Sequence, residues 1–167
     1  MRSRSLRPLL RPAWGLVAAA AVLGGCVTGG TAGTAPVADP AAVRTEIAAM
    51  MARSAAAWNR GDLDAFMADY APGEGTTYIG GRGLVRGPAA IRASYAPRFA
   101  PGARRGTLRF EELEVDVLAP GVANAIAFYV LSERTPAGRD STIARGPTSL
   151  VMRRVGGRWV IVHDHSS

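Results

Sequence analysis

Residues 57–66 read Ala57-Trp58-Asn59-Arg60-Gly61-Asp62-Leu63-Asp64-Ala65-Phe66. An alanine-rich helix stops at Asn-Arg-Gly, where glycine can take the left-handed cap after the last turn. Asp62 follows at once and can accept from the free amides of a second helix. Two helices therefore meet with almost no loop between them. Upstream, Asp39-Pro40 opens the first helix, because Asp caps amides and Pro suits the first helical position. Val43, Ile47, Met50/Met51, Ser54 and Trp58 then follow at spacings of three and four, one helical stripe. Downstream, Leu63, Phe66, Met67 and Tyr70 share one face of the second helix, and Pro72-Gly73 ends it. Thr76-Thr77-Tyr78-Ile79 is a short strand broken by Gly80-Gly81. Gly87-Pro88 starts a third helix with the stripe Ile91, Tyr95, Phe99, which Pro97 should distort or end.

From Gly106 the period changes to two. Leu108 and Phe110 alternate with polar residues, and so do Leu113, Val115 and Val117, in the opposite phase. That change of phase predicts a β-bulge between Phe110 and Leu113. Val122 to Arg134 is a nearly continuous apolar run, the pattern of a strand buried on both faces. Pro136-Ala137-Gly138 makes a turn, and Ser141 to Val155 is the next strand. Gly146-Pro147 should bend that strand or place it at an edge. Gly156-Gly157 is a hairpin turn before a last strand, Trp159 to His165. Helices first and hairpins afterwards is an α+β plan.

The chain has 167 residues, enough for one domain, and a hydrophobic fraction of 48% that excludes wholesale disorder. All 20 basic residues are arginine, against 13 acids, for a net charge of +7. Arg2, Arg4, Arg7 and Arg11 crowd the start, and residues 13–25 form a small, apolar run of about 13 residues. A basic flank and a short apolar run read as an export signal, below the ~20 residues of a spanning helix. The run ends in Leu23-Gly24-Gly25-Cys26, which resembles the lipobox of bacterial lipoproteins. That resemblance implies cleavage after residue 25 and lipidation of Cys26, the only cysteine. The expected organisation is a signal peptide over 1–25, a Gly/Thr/Ala-rich tether over 26–38, and one domain over 39–167. The protein is then exported and lipid-anchored to the bacterial cell envelope, periplasmic or at the outer surface. Removing residues 1–25 takes away four arginines and no acid, which leaves sixteen against thirteen, or +3. Nucleic-acid binding has little support from that balance.

Three segments, in their order and spacing, carry a further resemblance: residues 57–66, Gly87-Pro88-Ala89-Ala90-Ile91-Arg92, and Gly157 to Ser167. The body resembles the SnoaL-like branch of the nuclear-transport-factor-2-like superfamily. Its closing strand also resembles the association domain of calcium/calmodulin-dependent kinase II. The resemblance implies a cone-shaped α+β fold, with three N-terminal helices packed in a strongly curved antiparallel sheet and a pocket at the open end. It also implies a homodimer through the outer sheet face. The superfamily includes ketosteroid isomerase and other small-molecule enzymes beside domains with no known reaction, so the site must decide the function.

An isomerase of this kind needs a carboxylate base in the strand after the second helix and a tyrosine donor one to two turns before the Gly-Asp pair. Residues 76–80 hold no carboxylate, Glu74 sits in a Pro-Gly-Glu-Gly turn, and the donor position is Ser54. His163 and His165, the only histidines, should share one strand face with Trp159 and Ile161, and Asp164 should face the other way. Two imidazoles at i and i+2 could serve as acid–base groups, but a metal would need a third ligand, and none is expected. The ordinary alternative is that they hydrogen-bond in the pocket wall or at the dimer seam. Trp58, Tyr78, Tyr95, Tyr129, His163 and His165 are the candidate pocket residues, although the helical spacing of Trp58 favours core packing for it. Gly80-Gly81-Arg82-Gly83 lacks the Lys-Ser/Thr of a phosphate loop, and no cofactor is expected. Three functions follow as expectations: a dimeric accessory domain that binds a small apolar molecule, an enzyme of lyase, cyclase or isomerase type using a pocket histidine, or a pure dimerisation module.

Overall fold

The computed structural model describes residues 39–167; the expected signal peptide, Cys26 and the whole of the expected tether lie outside the described residues. α1 spans Pro40–Arg60, and Asp39 accepts from the Ala41 amide at its start. It ends on Gly61 at φ +77, and the Gly61 and Asp62 amides return to Trp58 and Ala57. Asp62 caps α2 (Leu63–Met67) through the Ala65 amide. β1 (Thr77–Gly80) and β2 (Gly83–Arg86) form a small hairpin. The glycines at 80 and 81 that broke the strand in sequence are thus part of a hairpin turn. α3 (Pro88–Phe99) carries Pro97 within its last turn and stops two residues later. β3 (Thr107–Ala119), β4 (Val122–Arg134), β5 (Asp140–Val155) and β6 (Arg158–Ser166) complete the chain.

The sheet runs β2-β1-β6-β5-β4-β3 and curls around the helices. Every neighbouring pair is antiparallel except β1 and β6, which are parallel, so the sheet is mixed rather than purely antiparallel. A parallel pair needs a long crossover, and here α3 and four strands lie between its members. The bulge expected between Phe110 and Leu113 is present: register shifts between Glu111 and Glu114, with Glu112 at φ +54. A second shift lies in β6. Val151 pairs with His163 and Met152 with Ile161, so Val162 is an extra residue.

The core lies between α1 and the inner sheet face. Val43, Ile47, Met50 and Trp58 pack against residues such as Ala125, Leu150 and Met152. β4 is not buried on both faces. Ala123, Ala125 and Ala127 point inward, whereas Ile126 is 41% exposed on the outer face. Nor does Gly146-Pro147 make β5 an edge. Pro147 sits where β6 runs out: its carbonyl takes the Ser167 amide, so its missing N–H falls on the side where pairing ends. Gly146 is required because a Cβ there would strike the Ser167 backbone and the Tyr129 hydroxyl.

Candidate functional site

The helices and the inner sheet face enclose a cavity of about 660 Å³. Trp58, Tyr78, Tyr95 and Tyr129 all line it. α1 positions Trp58, whose indole donates to the Gly106 carbonyl at 3.2 Å. Trp58 also makes edge contacts with Phe66, Tyr95 and Phe99, so it is core packing and cavity wall at once. Such edge-to-face pairs suit the negative face and positive rim of aromatic rings. Tyr78 on β1 lies 5.1 Å from the Tyr95 ring and folds over Gly80, where any Cβ would collide with it. Tyr129 on β4 donates to the Ser167 carbonyl at 3.1 Å.

His163 and His165 do not line the cavity. The extra residue Val162 inverts the phase of β6 after Ile161, so Asp164 joins Ile161 on the inner face and both histidines point outward. The sequence expectation of inward histidines is therefore reversed. The Thr77 hydroxyl lies 2.7 Å from Nδ1 of His163 on the outer surface. No carboxylate pairs with His165 among the described residues; two acids distant in sequence that could have formed a proton-transfer pair with it are engaged elsewhere, Asp69 buried near Ser54, Arg53 and Arg158, and Glu133 on Arg104.

The group that strict alternation hid is Asp164. It is 3% exposed, and its oxygens take three hydroxyl contacts. The Tyr70 hydroxyl donates to Oδ2 at 2.5 Å, the Tyr95 hydroxyl to the same oxygen at 3.2 Å, and Ser166 to Oδ1 at 2.7 Å. Tyr70 is placed by the turn after α2, where Tyr70 bridges to Ile161 of β6. No cation is among these partners. Burial therefore dominates and pushes the Asp164 carboxyl above the usual range, against the pull of its hydroxyl donors. Burial and the neighbouring Asp164 charge push the Tyr70 and Tyr95 phenols well above theirs, so both stay protonated donors. Chemically, the cluster is a carboxyl in an apolar chamber that can hold or pass one proton. No group of three or more His, Cys, Asp or Glu stands close enough to hold a metal among the described residues.

The fold recurs in solved structures. A nuclear-transport-factor-2-like protein of unknown function from Shewanella oneidensis MR-1 is 29% identical, with a TM-score of 0.64 over 74% of this chain and 97% of that one. A nuclear transport factor 2 superfamily protein from Salmonella enterica is 20% identical, with a TM-score of 0.62 over 77% of this chain and 92% of that one. A cystatin-like-fold protein of unknown function from Nostoc punctiforme is 15% identical, with a TM-score of 0.62 over 74% and 88%. The last two speak for the fold alone. No curated protein matches the chain. Residues 47–167, the span that contains every residue lining the cavity, match the model of the SnoaL-like domain, and the chain belongs to that family.

Proposed function

We propose that this SnoaL-like domain binds a small, largely apolar molecule and works as a binding or accessory domain rather than as an isomerase. The observation that carries the reading is the cavity itself. Its volume of about 660 Å³ falls within the range of small-molecule sites. Aromatic and aliphatic walls around one convergent polar cluster are the usual composition of such a site. The domain is held at the bacterial envelope by a lipid on Cys26 and pairs with a second copy through the outer sheet face. Support for the anchor comes from the lipobox-like residues 23–26, and for the dimer from Ile126, a large aliphatic side chain 41% exposed on the outer sheet face. Native mass spectrometry of the full chain tests the binding reading. A small-molecule mass released on activation is expected; a bare chain in repeated preparations counts against it.

One observation favours a second reading, an enzyme of lyase, cyclase or isomerase type. Asp164 is a buried carboxyl with a raised pKa, ringed by phenols inside a cavity, and such groups suit general acid–base work. In that reading Asp164, not a histidine, is the acid–base group. A pure dimerisation module fits less well, since its cavity would be filled by side chains.

A further inference from the structure

The charged side chains that line the cavity are unevenly placed. Asp164 is at the buried floor, whereas Arg82 and Arg98 are exposed at the mouth. Their positions are built by the fold. Tyr95 and Arg98, three residues apart on one face of α3, both line the cavity, so the face turned to it ends in an arginine. Arg82 sits at the tip of the β1–β2 hairpin and donates to the Ser94 carbonyl of α3 at 3.1 Å. That bond directs it along the helix to the same rim. Neither arginine has a carboxylate within ion-pair distance among the described residues. Arg92, on the outward face of the same helix, does: it pairs with Asp64 at 2.6 Å.

We propose that the cavity takes an amphipathic carboxylate, with its apolar body between the aromatic walls and its anionic head at the mouth between Arg82 and Arg98. This rests on the reading of the cavity as a binding site and adds the class of ligand. Paired guanidinium groups match a carboxylate in both charge and fork geometry. The inner end of the ligand is uncharged. An anion at the floor would meet Asp164, and an ammonium would have to pass two arginines to reach oxygens already served by three hydroxyls. The head stays partly in water at the rim, so the preference is about tenfold rather than thousandfold.

Calorimetric titration of the full chain with octanoate, 1-octanol and octylamine tests this, since the three share one apolar tail. Octanoate should bind about ten times more tightly than octanol, and octylamine most weakly. R82Q/R98Q should remove the octanoate advantage and leave octanol unchanged; R82K/R98K should keep most of it. Ala144→Trp, which fills the cavity, should weaken all three and so identifies binding inside it. Equal affinities, a preference for the amine, or an octanoate advantage that survives R82Q/R98Q would overturn the carboxylate proposal while the cavity reading stands. If no ligand shows binding sensitive to Ala144→Trp, the cavity reading fails and this proposal fails with it.

Discussion

At the scale of single residues, Asp164 is the most consequential group. Its carboxyl is held above the ordinary value by burial, whereas in the unfolded chain it titrates near ~3.9. Between those values the folded chain keeps a proton that the unfolded chain has released. The stability Asp164 contributes is therefore full below about pH 4 and is lost as pH rises through the raised folded value. Asp164→Asn cannot titrate and should remove this loss. Urea unfolding from pH 4 to 8 should show the wild type falling relative to the variant, and a constant difference across that range would defeat the account. Tyr70→Phe, read in the same measurement, should cost about 1–3 kcal/mol at neutral pH by depriving a buried oxygen of the shorter of its two hydroxyl donors. The sequence could not announce this cluster. Tyr70 was legible as an inward apolar position, although it lies in the turn beyond α2 and not on the helix face expected for it. Asp164, in contrast, stood in the wrong phase of its strand until the extra residue Val162 was seen. Nothing in Val160-Ile161-Val162 marks the bulge, because three aliphatic residues read equally well in either phase.

At the scale of elements, the helices were the most legible part. Most boundaries carry their own chemistry: Asp39 and Asp62 as caps, Gly61 as a left-handed stop, and Pro88 at a first turn. The end of α2 does not: it stops at Met67 rather than running to Pro72, because Tyr70 bridges to β6 instead. The first bulge was legible too, since Leu108-Phe110 and Leu113-Val115-Val117 change phase openly. What the alternation could not give was the neighbour of each strand. That β1 lies parallel to β6, and that β5 is interior despite Pro147, depends on pairings between residues far apart in the chain. The outer face of β4 and β5 yields an element-scale prediction. Ile126 is exposed there beside Phe128, and the Arg145 guanidinium covers the Phe128 ring at 3.9 Å. If copies pair through this face, Ile126→Arg places like charges across the seam and should turn a dimer into a monomer. Light scattering reads this directly; a wild-type chain that is already monomeric at high concentration removes the dimer from the account.

At the scale of the whole molecule, the N-terminal segment and the cavity belong to one proposal. The proposed lipid anchor on Cys26 is an address, and the proposed ligand of the cavity is a task. A lipid anchor would hold the cavity near a membrane surface, where amphipathic carboxylates are concentrated. Cys26→Ser should move the protein out of the membrane fraction and abolish acyl labelling. Labelling that persists in the variant would refute the lipobox reading. The body needs no spanning segment for this placement, and among the described residues no helix is long and apolar enough to cross a membrane.

The parallel pairing of β1 and β6 also sets an order of events. Tyr78 faces Asp164 across that pair, and Tyr70 reaches Asp164 over a sequence separation of 94 residues. Contacts this distant are closed late, because their loop entropy must be met before they return anything. During synthesis, the helices and the β3–β4–β5 meander can form while the floor of the cavity is still absent. The chamber comes into being only when the final strand docks, so a chain caught before that step is a folded frame with no site.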